Sequence, residues 1–353
     1  MATKESQIDT TTVQCDNCGG GLFFDPKTAG LKCKNCNSLF PFSKQRDLLK
    51  NDFVDSSIQN RNWSQESRVF HCDSCGAEII VTGYDVTTVC PYCGNGYVSK
   101  VDKLPGLKPD KVVPFKFDET QAQELFQKGV KKHFFAPSVI KKKIPESKIR
   151  GLLIPSFLFD SNTISSYDGV LEKVTTTTDS KGRVQRNVRR FSIKGTKKLS
   201  FNDIVVESSS KFEQSQVNSL LPYNLNESYH FDYNFLRGYF VEHYQDSLDV
   251  CFSKAKVAMD SKIKSSILSE YNYTNVVKLD INTSYLDRKY SYTLLPVYTI
   301  EYEYKKKKVI NIMNGQTGRI GKGLPVSPLK VSLTVISGII IIVLLFILIF
   351  AFN

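Results

Sequence analysis

Eight cysteines near the start of the chain have the spacing of metal ligands. Cys15 and Cys18 form one C-x2-C pair, and Cys33 and Cys36 form another after 14 intervening residues. Cys72, Cys75, Cys90 and Cys93 repeat the arrangement with every position displaced by 57. Thiolate is a strong ligand for Zn²⁺, and two such turns facing each other can set four sulfurs in a tetrahedron around one ion. The pattern predicts two zinc ribbons with one zinc each. It consumes eight of the nine cysteines and leaves only Cys251 outside. Four thiolates also suit iron, and spacing alone leaves that open, although ribbons of this spacing usually hold zinc.

Other thiol chemistry fits less well. Disulfides need an oxidising compartment, and residues 1–14 contain no apolar run that could act as a signal peptide. A thioredoxin-type pair opens a helix after a strand, whereas these pairs come in matched sets and are followed by Gly19, Gly76 and Gly94. His71 abuts Cys72, but with four cysteines in register it is expected to stay outside the metal's ligand set. Cys251 falls on the apolar side of an expected helix from Asp246 to about Leu268, with Leu248, Phe252, Ala255, Ala258 and Ile263, and reads as a buried structural thiol.

The far end of the chain changes its class. Residues 331–352 are 22 positions without a charge, and at about 1.5 Å per residue they span roughly 33 Å, enough for a hydrocarbon core of about 30 Å. A transmembrane helix is expected there. Arg319, Lys322 and Lys330 precede it and only Asn353 follows, so the positive-inside rule keeps the N-terminal bulk in the cytoplasm. The expectation is a single-pass, tail-anchored protein of the cell membrane. A reducing cytoplasm also leaves the eight thiols available for metal.

Charge is distributed unevenly. The net +12 leaves residues 1–104 nearly neutral, with 11 Lys/Arg against 12 Asp/Glu, and the excess lies on 105–330. A basic surface tethered beside a bilayer can meet anionic lipid headgroups. The densest runs, Lys141–Lys143 and Lys305–Lys308, read equally well as solvated turns or helix ends.

Between the two ends the elements are mixed. The expected order is a disordered 1–14, ribbon 1 over 15–42, a connector over 43–67 with a short helix at Gln45–Asn51, and ribbon 2 over 68–102 with a strand at Val86–Val89. A linker over 103–110 then precedes an α+β domain over 111–325. In that domain the pattern gives a strand at Val112–Phe117, a helix capped by Asp118 and ended by Pro137, and strands from Gly151 to Val206 that turn at Ser180–Arg183. Residues 207–245 have no clear periodicity. Further strands are expected at Tyr290–Tyr304 and Lys308–Met313. Leu294-Leu295-Pro296-Val297 echoes Leu152-Leu153-Ile154-Pro155, as if one sheet held two similar strands. The fold class is thus two tandem all-β, metal-stabilised zinc ribbons, an α+β domain with a largely antiparallel sheet, and one C-terminal transmembrane helix.

No catalytic pattern stands out, so an enzyme, a helicase included, is not expected. Gly315–Gly323 looks like a phosphate loop but has one residue too many between its outer glycines and no Ser/Thr after Lys322. The four histidines, His71, His133, His230 and His243, show no metalloprotease or esterase spacing. Four-cysteine sites leave no open position for water or substrate, which fits rigid platforms better than zinc catalysis.

Several segments carry a family likeness: Cys72–Ile79, Cys90–Gly94, Val113–Phe115, Phe135–Pro137, Arg150–Pro155 and Asn314–Gly318. As an ordered set they resemble a bacterial transcription-factor-type zinc-ribbon family, some of whose members carry primosomal or helicase-like labels. Members with a C-terminal transmembrane helix resemble the YdjG-type proteins. The resemblance implies a setting beside phage-shock and flotillin-like proteins of membrane-stress systems. Two functions follow as expectations: an adaptor or scaffold holding protein partners at the membrane, or a membrane-tethered nucleic-acid-binding protein. The near-neutral charge of the ribbons favours the first, since nucleic acid needs a Lys/Arg stripe against its phosphates.

Overall fold

The computed structural model describes residues 15–42, 50–53, 67–72, 74–82, 90–93, 99–101, 106–142, 148–178, 182, 184–209, 211–236 and 239–351. The expected disordered N-terminus, the strand at 86–89 and most of the connector lie outside these residues, as does the helix at 45–51 except for its end, where Asn51 is in a strand.

The N-terminal part contributes β1 (Leu22–Asp25), β2 (Gly30–Cys33), β3 (Leu39–Pro41), β4 (Asn51–Asp52), β5 (Ser67–His71), β6 (Glu78–Thr82) and β7 (Ser99–Val101). Then come β8 (Lys111–Val112), α1 (Glu119–Lys132), β9 (Ile149–Thr178), β10 (Val184–Glu207), α2 (Gln214–Leu220), β11 (Tyr229–His230) and β12 (Phe240–Glu242). The chain continues through α3 (Leu248–Leu268), β13 (Asn275–Tyr304), β14 (Lys307–Asn314) and α4 (Pro328–Ala351).

Among the described residues these strands build a three-stranded sheet, β1-β2-β3, and an eleven-stranded sheet centred on β9 and β13. Within these residues, parallel pairing occurs only where β12 meets β9 and β8 meets β13. The rest is antiparallel. The two echoing segments lie side by side, with Leu294 opposite Pro155, Leu295 opposite Ile154 and Val297 opposite Leu152. The large sheet also runs across the expected linker, because β6 pairs with β12 and so joins the second cysteine segment to the α+β core.

The central strands are long, and β13 is longer than expected. At about 3.3 Å per residue, 30 residues of β9 cover roughly 100 Å of chain. β13 starts 15 positions before the expected Tyr290. Its first half is exposed or half-buried, with Leu279, Ile281, Thr283 and Tyr285 alternating with exposed polar residues, the period of a strand with one partly covered face. Backbone pairing with β9 fixes it. In the inner half, Gly151–Phe159 of β9 and Tyr290–Ile300 of β13 are buried on both faces, which accounts for their unbroken apolar runs. Bulges interrupt both neighbours of β9 near Asp160, between Phe201 and Ile204 and between Leu286 and Lys289. Asp203 and Asp287 take the left-handed conformation there (φ 54° and 49°), which aspartate tolerates and which bends and twists the strands.

Helices cover the faces. Asp118 and Gln121 form a reciprocal capping box at the start of α1, and Ala122, Phe126 and Val130 bury its apolar stripe. The helix ends at Lys132 with an extended His133, five residues before the expected stop at Pro137, and Phe134 is left exposed. The expected strand Val112–Phe117 is cut to Lys111–Val112. Beyond it Phe115 and Phe117 leave the ladder to pack on Tyr298, at 4.8 and 5.5 Å between ring centroids. Ser247 caps α3, which buries Cys251, Phe252, Ala255, Met259, Ile263 and Ile267 against the long strands. Cys251 is the buried thiol expected, whereas Ala258 faces solvent. α4 stands apart: it is long and apolar enough to cross a membrane, and no residue of Pro328–Leu345 is buried.

Candidate metal centres

Each cysteine pair sits on a turn whose geometry the sequence dictates. Cys15 N–H donates to the Gly20 carbonyl at 2.8 Å, and Gly19 N–H to the Cys15 carbonyl at 2.7 Å. Fifty-seven positions on, Cys72 N–H donates to Ala77 at 2.8 Å and Gly76 N–H to Cys72 at 2.7 Å. Both turns need a left-handed residue, and glycine fills it at φ 70° for Gly19 and 68° for Gly76. Backbone N–H groups then point at sulfur in matching places, from Gly20 to Cys18 and from Ala77 to Cys75. Those of Asn35 and Cys36 reach Cys33, as those of Tyr92 and Cys93 reach Cys90. The doubled spacing is therefore a doubled structure.

The eight expected ligands come together as two groups of four, each with its sulfurs within 4.8 Å of one another. Cys15 and Cys36 bring Sγ atoms to 3.4 Å, and Cys18 and Cys33 to 3.5 Å. In the second group the Cys72–Cys93 and Cys75–Cys90 separations are 3.6 and 3.7 Å. A disulfide bond is about 2.0 Å long, so these are not disulfides. A tetrahedral ion with metal–sulfur bonds of about 2.3 Å has sulfur–sulfur edges of about 3.8 Å, which both groups approach. Each can hold one metal ion. His71 is outside the second group, with Nδ1 4.0 Å from Glu78.

The two centres differ in their surroundings. In the first, Cys18 and Cys36 are exposed, and hydrogen bonds from the Ser38 hydroxyl and then its N–H lower the Cys36 thiol to about 6. Backbone N–H donation from Cys36 lowers Cys33 as well. Its packing is slight: Cys15, Leu22, Leu31 and Cys33 form a small cluster of their own. Phe24 and Phe42 lean on Phe235, at 5.6 and 4.3 Å between centroids. In the second, burial raises Cys75 and Cys90. Cys72, Ala77, Ile79, Cys90 and Tyr92 share one core with residues of the long strands, Leu152, Ile154, Leu295 and Val297 among them.

Residues remote in sequence hold the second centre in place. Lys211 donates to the Cys75 carbonyl and Lys308 to the Cys93 carbonyl. Thr299 Oγ1 donates to the Pro91 carbonyl at 3.3 Å, and Tyr92 donates to buried Glu242. Sequence reasoning gave none of these. Lys308 belongs to a run that reads as a solvated turn, and its role follows only from the β13–β14 register. Gly315–Thr317 is a turn closed by Asn314, whose Oδ1 accepts from the N–H groups of Gln316 and Thr317 at 2.8 and 2.9 Å, and Ile320 then bridges back to Met313.

Fold and site together define a class: a protein with two four-cysteine groups able to hold metal, one on a small three-stranded sheet and one on a long, largely antiparallel sheet, followed by one exposed apolar helix. The chain is similar to the uncharacterized protein YdjG of Bacillus subtilis (strain 168), at 29% identity over 324 residues that cover 90% of this chain and 91% of that one. The likeness spans most of the architecture rather than a single motif. No family model and no solved structure matches.

Proposed function

We propose that the protein is a membrane-anchored adaptor: two zinc ribbons and the α+β domain, facing the cytoplasm, hold protein partners at the bilayer. The observation that carries this reading is the closure of both centres. All four positions around each ion would be filled by cysteine, which leaves no site for water or substrate and makes the ion a structural clamp on two surface turns. Zinc is the ion that such a sulfur tetrahedron suits best, with iron as its competitor. The C-terminal helix, apolar and unburied, supplies the tether. The resemblance to YdjG-type proteins, which implies a setting beside membrane-stress systems, makes phage-shock or flotillin-like proteins the first partners to seek.

The test is metal analysis and partner recovery on the full chain from native membranes. Two zinc ions per chain are expected, and one each in Cys15→Ser and Cys72→Ser. Both variants should stay in the membrane and lose recovered protein partners. Recovery of no protein partner by the parent sinks the adaptor reading. Tight DNA or RNA binding with a steep salt dependence, measured on the same detergent-solubilised protein, would install a nucleic-acid role in its place.

A further inference from the structure

The apolar helix does not leave the domain on a loose leash. Ser327 N–H donates to the Phe135 carbonyl at 2.8 Å, and Lys330 Nζ donates to the Ala136 and Phe134 carbonyls at 2.7 and 3.2 Å. The first turn of α4 is thus clamped to the loop that follows α1. Tyr304 OH reaches the Val326 carbonyl at 3.5 Å, which brings the β13–β14 turn to the same stem. Whatever surface the helix enters, these segments face it.

Their chemistry is that of a bilayer interface. Phe134 is 66% exposed, Phe135 40% and Val139 47%, beside Val326 at 54% and Leu329 at 70%. Lys131, Lys132, Lys141 and Lys142 border them, and the nearby β13–β14 turn carries Lys305 and Lys306. A cleft of about 450 Å³ opens alongside, with His133, Ser219, Arg319 and Lys322 among its lining residues. Neither 125–145 nor 304–353 contains an Asp or Glu. Aromatic rings belong at headgroup depth and lysines against anionic lipid.

We infer that Phe134, Phe135 and Val139, ringed by Lys131, Lys132, Lys141, Lys142 and Lys330, form an interfacial foot that seats the cytoplasmic domain on anionic phospholipid headgroups. The foot fixes an orientation. Thr299 and Lys308, which hold the Pro91 and Cys93 carbonyls, place the second cysteine group at the same end of the long strands as the foot but on the opposite face, while the hairpin end of β9 and β10 extends away from both. This inference rests on the membrane-anchored reading and adds a defined contact surface to it.

The full chain is reconstituted in vesicles with Phe134→Trp in a Trp63→Phe background, so that one indole reports, since Trp63 is the single native tryptophan. In phosphatidylglycerol vesicles the emission is expected to shift to the blue and to be quenched by lipids brominated near the glycerol end of the acyl chain. Replacing Lys131, Lys132, Lys141 and Lys142 with Gln, or using pure phosphatidylcholine, is expected to reduce both effects. These residues are exposed or half-buried, so fold is kept, and circular dichroism checks it. Alkaline carbonate extraction reports the tether separately. A chain that resists extraction but whose introduced indole ignores the brominated lipid overturns the foot and leaves the anchor standing. Quenching that is equal in neutral vesicles and in the Gln variant overturns the anionic-lipid assignment. Release by carbonate overturns the anchored reading and the foot with it.

Discussion

Glu207 shows how one buried carboxyl can set the response of the molecule to pH. It is 3% exposed at the end of β10. Burial pushes its carboxyl up to about 7; the Ser209 N–H at 2.7 Å and Lys254 at 3.8 Å oppose this, and the nearby Glu242 and Asp246 add to it. In the unfolded chain a glutamate titrates near about 4.3. The folded state therefore holds the proton more tightly. Its contribution to stability is complete below about pH 4.3 and is lost as pH rises through about 7, by on the order of 3 kcal/mol in all. Glu207→Gln keeps an acceptor for Ser209 and removes the titration. Denaturant melts should show the variant gaining on the parent between pH 5 and pH 8, and parallel curves across that range would refute the assignment. At this scale the sequence was most legible where residue type and spacing carry the chemistry, as in the eight cysteines and their glycine turns. It was opaque for Lys211, Lys308 and Glu242, whose partners lie 136, 215 and 150 positions away.

Elements were legible in proportion to how local their causes are. Asp118 announces α1, and the structure adds Gln121 as its partner in a capping box that lies within four residues. The hairpin of β9 and β10 was readable from its turn, and Gly182 takes φ 75° there. By contrast α2 and β12, seven and three residues long, gave no signal, since short elements are held by the sheet they join rather than by their own propensity. α3 lies between these cases: its stripe was visible, but the face drifts, and only packing on β9 and β10 decides that Met259 is inside and Ala258 outside. That helix is the cover for one face of the outer sheet, so its core positions matter more than its length. Met259, fully buried, should cost about 2–5 kcal/mol when changed to Ala, through lost burial and the cavity left behind. Val257, 70% exposed on the same helix, should change stability by less than about 0.5 kcal/mol on the same substitution. Equilibrium urea unfolding of the two variants separates these outcomes, and equal effects would mean that α3 does not pack on the strands as described.

The two metal centres share a local plan yet belong to the molecule in different ways, and removing the metal should expose the difference. The first is carried by strands of three or four residues, with a small core that is itself half cysteine and a few aromatic contacts to the rest. A unit that small cannot bury enough apolar surface to hold its shape without the ion. The second has β5 and β6 paired into the eleven-stranded sheet through β12, and its cysteines share a core with both long strands. Loss of its metal leaves those pairings and that burial in place. Chelation of the intact protein should therefore free the amides of β1 and β2 to exchange with solvent while those of β6, β9 and β13 stay protected, a split that hydrogen exchange read by mass spectrometry resolves. Alkylation of the chelated protein gives a second view: Cys36, exposed even in the folded chain, should react well before buried Cys90. If β6 loses protection together with β1, the second centre depends on its metal as much as the first, and the sheet contacts described for it contribute little.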